Sequence, residues 1–153
     1  MWYSERMKHD DPPVWECEHE IVVNTAPEII WRLFQDVPGW KQWNAGIEHI
    51  EIHGPFAVGT HFVMTPPGQE PLTTRLVEVR ENAGFVDETR VDELRIFVDH
   101  RLEPLDADRT RVVYSLEAFG HACETVGPQV AADFPDVLKS LAARAEALAC
   151  EAA

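Results

Sequence analysis

The sequence predicts an α+β layer fold: a curved antiparallel sheet of six to seven strands wrapped around one long C-terminal helix, with two short helices between strands 1 and 2. Three observations predict it. Apolar residues recur at three- and four-residue steps over residues 127–150. Short alternating segments follow one another about every ten residues between positions 47 and 120, joined by short turns. Large helical patterns lie before and after this run but not within it, so the helices share one side of the sheet.

Residues 1–13 are polar, end in Asp11-Pro12-Pro13, and read as an N-terminal extension. They contain no apolar core of the kind a secretory signal needs. Residues 14–151 then read as a single domain. Trp15, Cys17, His19, Ile21 and Val23 alternate with Glu16, Glu18 and Glu20, the pattern of a strand with one wet face. Asn24-Thr25-Ala26-Pro27-Glu28 reads as a helix start, with Thr25 as N-cap and Glu28 completing a capping box. Ile29, Ile30, Leu33 and Phe34 supply its buried face, with Trp31 partly covered, and Pro38-Gly39 ends it. Trp40-Lys41-Gln42-Trp43 predicts one more helical turn.

Six strands follow, over residues 47–53, 61–65, 72–80, 85–90, 93–104 and 110–120. Gly54-Pro55, Pro66-Pro67-Gly68, Asn82-Ala83-Gly84 and Asp106-Ala107-Asp108 supply turns between them. In the last helical stretch, Val130, Phe134, Val137, Leu138, Leu141, Ala145 and Leu148 form one apolar stripe. Pro135 lies within that stretch. A proline there breaks a helical hydrogen bond, so it predicts a kink or a new segment near Asp133, with residues 125–133 as a separate flap.

The 153-residue chain is long enough for one real core, and its net charge of -14 repels phosphate backbones and anionic lipid surfaces. Nucleic acid and membrane insertion are therefore not expected, and no run nears the ~20 apolar residues of a membrane span. A homodimer is left open. Cys17, Cys123 and Cys150 are too few and too dispersed for a disulfide framework, which predicts a reducing, cytoplasmic setting.

Residues 18–44, which include Asn24-Thr25-Ala26-Pro27-Glu28-Ile29-Ile30-Trp31 and Trp40-Lys41-Gln42-Trp43, resemble the opening of START-like proteins. Gly54-Pro55-Phe56-Ala57-Val58-Gly59-Thr60, Phe85-Val86-Asp87-Glu88 and His100-Arg101-Leu102-Glu103-Pro104-Leu105 are similar to the same group, the polyketide cyclase/dehydratase-like branch of the SRPBCC superfamily. The resemblance spans most of the chain. It implies the helix-grip fold, an apolar cavity between sheet and helix, and a lipid- or polyketide-like ligand bound without a cofactor. Fold alone does not select a function.

Two residues are candidates for chemistry. His100 alternates with Ile96, Val98 and Leu102, which predicts a buried imidazole on the concave face. Tyr114 alternates with Val112 and Leu116, which predicts a phenol on the same face one strand over. Taken singly, each reads first as a hydrogen-bonded core residue; together they would form an acid/base or carbonyl-binding couple. Phe62, Met64, Val98, Phe134 and Leu138 join them as the predicted cavity wall. Of Thr74 and Arg75, and of Thr89 and Arg90, one each must face inward. His49, Glu51 and His53 share a face, but Ile50 and Ile52 take the other, so the three are expected in solvent and no metal site is assigned. Three functions stay open on this reading: an apolar-ligand binder, a cyclase- or dehydratase-like enzyme, and an interaction module using an exposed patch around Trp40 and Trp43.

Overall fold

The computed structural model describes residues 14–152; the extension read over residues 1–13 lies outside them. Seven strands form one antiparallel sheet: β1 (Val14–Val23), β2 (His49–Ile52), β3 (His61–Thr65), β4 (Leu72–Arg80), β5 (Gly84–Val91), β6 (Leu94–Asp106) and β7 (Arg109–Phe119). Their order across the sheet is β1-β7-β6-β5-β4-β3-β2. A consecutive meander thus runs from β2 to β7, and β1 joins it beside the last strand. An early helix (Pro27–Gln35) and a 3-10 turn (Val37–Gln42) separate β1 from β2. A short helix (Cys123–Ala131) and a long one (Phe134–Ala152) complete the chain. The long helix lays Val137, Leu138, Leu141, Ala142 and Ala145 against the concave face of the curved sheet, all nearly sealed from solvent. This is the helix-grip arrangement.

Local chemistry explains the bends. In β4 the pairing with β5 shifts between Leu76 and Glu78. This bulge lets Leu76 and Val79, three residues apart, both face inward, which regular alternation forbids. The helix pair at the C-terminus breaks at Asp133, and Pro135 falls in the first turn of the long helix, where its missing N–H costs nothing. Gly127 seats the short helix on the sheet. A methyl group there would lie 2.4 Å from the Trp15 ring, so only glycine allows this approach.

Several sequence expectations need correction. Ala26, not Thr25, is the N-cap of the early helix, and no side chain caps it. Thr25 is instead buried, and its carbonyl accepts a hydrogen bond from the Thr110 hydroxyl at 2.8 Å. The tie to β7 holds the Thr25 backbone against Thr110, and the helix starts one residue later, from Ala26. Trp31 is fully covered rather than partly, wedged edge-on between Phe34 and Phe56. Val130 is exposed, because the break at Asp133 rotates the short helix out of phase with the stripe that follows. Trp40 and Trp43 are buried, so the exposed patch required by an interaction module is missing there. The Trp40 indole donates to the carbonyls of Leu33 and Phe34, closing the end of the early helix.

Candidate functional site

Strand register builds the site as three rows on the concave face. The first row is Val79, Phe85, His100, Tyr114 and His19, side by side across β4, β5, β6, β7 and β1. The second is Leu76, Asp87, Val98, Leu116 and Cys17. The third is Thr74, Thr89, Ile96, Ala118 and Trp15. The two threonine hydroxyls bond each other at 2.7 Å. Arg75 and Arg90 therefore point to the convex face, where both donate to Glu88.

Rings fill the space over the first row. The His100 imidazole stacks on Phe85, with centroids 4.0 Å apart, and meets Tyr114 edge-on at 4.6 Å. Phe134, the first residue of the long helix, stands over Tyr114 at 5.5 Å. Trp40 stacks on Phe85 as well, and Phe34 and Phe56 meet that ring edge-to-face. Trp40 in turn reaches Phe62 of β3 at 5.3 Å. Tyr114, Phe62, Phe134 and Leu138 are buried, and Met64 is half-buried at the β3 end. Val98 and His100 differ. Both sit on the concave face of an interior strand, yet both keep accessible surface, while Phe85, Tyr114 and Leu116 beside them are sealed.

The polar groups have shifted acidities. Burial pushes the His100 pKa down to about 3, against the pull of the Phe85 and Val98 carbonyls. The ring is thus neutral at any physiological pH. Its Nδ1 lies 3.2 Å from the Phe85 carbonyl and donates to it, leaving Nε2 as an acceptor. Burial holds the Tyr114 phenol above its ordinary value, and the charges of Asp87 and Asp133 add to this. It stays a donor. Asp87 is the residue that sequence reasoning missed. Burial, reinforced by Asp99 on the opposite face, pushes its pKa up to about 8. A period-two reading of Phe85, Asp87 and Thr89 against Val86, Glu88 and Arg90 would have placed it inside.

The neighbouring Glu88 shows the contrast. Burial alone would raise its pKa; hydrogen bonds from Arg95, Arg90 and Arg75 outweigh this and hold it below the ordinary value. One strand thus carries a neutralised carboxylate outward and an uncompensated one inward. His49, Glu51 and His53 are exposed. Among the described residues, no cluster of three or more His, Cys, Asp or Glu side chains could hold a metal ion. Nor is any helix there long and apolar enough to cross a membrane.

A curved sheet gripping a C-terminal helix over a face of mixed aromatic and polar residues defines a START-like domain. The chain matches the family described as polyketide cyclase/dehydrase and lipid transport over residues 14–146, and it belongs to that family. Among solved structures it is similar to an aromatase/cyclase, Zhui, from a Streptomyces species, with 16% identity and a TM-score of 0.74 over 88% of this chain and 94% of that one. It is also similar to a START superfamily protein from Mycobacterium smegmatis: 19% identity, TM-score 0.71, 87% of this chain and 98% of that one. A third is norcoclaurine synthase from Thalictrum flavum: 16% identity, TM-score 0.68, 89% of this chain and 88% of that one. At such identities the likeness is one of fold. No curated protein sequence matches the chain.

Proposed function

We propose that the protein binds a mostly apolar small molecule, lipid- or polyketide-like, between the concave face and the C-terminal helix. The observation that carries this reading is the accessible surface of Val98 and His100. Strands flank both residues on either side and helices pack across that face. Surface left open at that depth faces a gap, and an apolar gap lined by rings is a ligand site. Phe62, Met64, Val98, His100, Tyr114, Phe134 and Leu138 are its proposed wall. Family membership supports the same reading. The test is native mass spectrometry of protein purified from its own host. The wild type is expected to carry a small-molecule adduct, and Val98→Trp, which fills the gap, is expected to lose it. A folded Val98→Trp protein that keeps the same adduct would refute the site.

A second reading is a cyclase- or dehydratase-like enzyme using the same face. It is favoured by the contact between the His100 and Tyr114 rings beside an acid whose pKa lies near neutrality. In this reading Nε2 of neutral His100 accepts a hydrogen bond from the substrate, Tyr114 donates one to a carbonyl oxygen, and Asp87 is the group that exchanges a proton. A His100→Ala/Tyr114→Phe double variant with full turnover on a poly-ketone substrate would exclude it.

A further inference from the structure

Asp87 lies on an apolar face without a counter-charge. It is only 8% exposed. No hydrogen bond or opposite charge among the described residues offsets its burial. The groups facing it are of the wrong kind to do so. Val98 and Leu116 lie beside it on β6 and β7, and the adjoining row carries a neutral imidazole, His100, and a phenol, Tyr114; Cys17 and His19 lie beyond them on β1. Asp133, at the start of the long helix, is a second acid that acts on Tyr114. Leu76 and Thr74 face it from β4. Asp99, through the sheet, adds a like charge.

The cations are elsewhere. Arg75, Arg90 and Arg95 bond Glu88 on the convex face, and Arg80 and Arg101 lie against Asp99 there. The remaining described lysines and arginines sit on exposed positions or in ion pairs at the rim. The interior therefore holds one unpaired carboxyl among the rings of Tyr114 and Phe134, with no cation facing it.

We infer that Asp87 anchors a protonated amine of the bound molecule, so that the site selects apolar amines over apolar acids. An ammonium group supplies the missing counter-charge and donors, and aromatic faces attract it further. An anionic ligand would meet the Asp87 carboxyl and no cation. This inference rests on the ligand-binding reading above and names the chemical class of the ligand.

The pH dependence has a definite sign. The amine pairs with the ionised carboxylate, and in the empty site Asp87 ionises near pH 8. Amine affinity should rise about tenfold per pH unit as the pH climbs toward 8, and level off above it. The probes are decylamine, decanol and decanoate, titrated by calorimetry into the full chain between pH 6 and pH 9. The expected order at pH 8.5 is decylamine, then decanol, then decanoate, with decylamine at least tenfold tighter than decanol. Asp87→Asn, nearly isosteric, should bring decylamine down to the affinity of decanol, with circular dichroism showing that the variant is folded. Decanol or decanoate binding as tightly as decylamine, amine affinity rising toward low pH, or an amine advantage that survives Asp87→Asn would each overturn the inference while leaving the ligand site standing. Failure of all three probes to bind would remove the site itself.

Discussion

Replacing Asp87 with asparagine should stabilise the fold, and by an amount that depends on pH. In the unfolded chain an aspartate ionises near pH 3.9. In the folded protein Asp87 holds its proton to about pH 8. Below about pH 4 both states are protonated and the residue costs nothing. As the pH rises, the unfolded chain releases its proton and the folded one does not, so stability falls by about 1.4 kcal/mol per unit until about pH 8. At pH 7 the gap is about three units, or about 4 kcal/mol, and water reaching the carboxyl lowers it toward about 2 kcal/mol. Asparagine keeps the shape without the titration. For a chain of this size the variant should melt about 6–12 °C higher at pH 7. Thermal melts at pH 4, 5.5, 7 and 8.5 measure it. The difference should be near zero at pH 4 and largest at pH 8.5. A variant less stable than the wild type, or a difference independent of pH, would mean that Asp87 has a stabilising partner in the folded protein and would refute its uncompensated burial.

Glu88→Gln should behave in the opposite sense. Its carboxylate accepts from three arginines, so its loss should cost about 1–3 kcal/mol at pH 7, and the deficit should shrink as acid protonates the wild-type group below its ordinary pKa; urea titrations at pH 7 and pH 3.5 compare the two. Gly127→Leu should push Trp15 off the short helix and cost about 1–3 kcal/mol, seen as a lowered urea midpoint and a red-shifted tryptophan emission. Hydrogen exchange should open Cys123–Ala131 before the middle of the long helix, since the former is short and carries Pro128 inside it; equal protection of the two would count against the flap.

Most of the sheet was legible because its strands alternate cleanly and its turns carry glycine, proline or asparagine. The long helix was legible because its stripe has a helical period. The early capping box was misread because the helix starts at Ala26 and leaves Thr25 buried outside it, its carbonyl held by Thr110 some 85 positions away, a partner of which local sequence holds no trace. Val130 was misplaced because one continuous stripe was drawn across a helix break. Between Thr74 and Arg75, and between Thr89 and Arg90, the threonines take the inward places, because an arginine is costly to bury. Asp87 escaped because a carboxylate is normally assigned to water. Its alternation with Phe85 and Thr89 points it inward, and the pairing of β5 between β4 and β6 buries it there.

The place of β1 beside β7 has a consequence for synthesis. The first strand made finds its partner only when the last strand exists, since Val14 pairs with Phe119 and Val23 with Thr110. A nascent chain can assemble the meander from β2 onward by short-range closures, but β1 and the early helix must wait for residues 109–119, and for the long helix after them. Such long-range closure is slow, and it leaves apolar surface uncovered while it is pending. Tyr114 and Phe134 arrive in the same late step that joins the two ends. A chain interrupted before Phe119 should therefore be a client for chaperones, because the proposed ligand site and the closed fold are completed together.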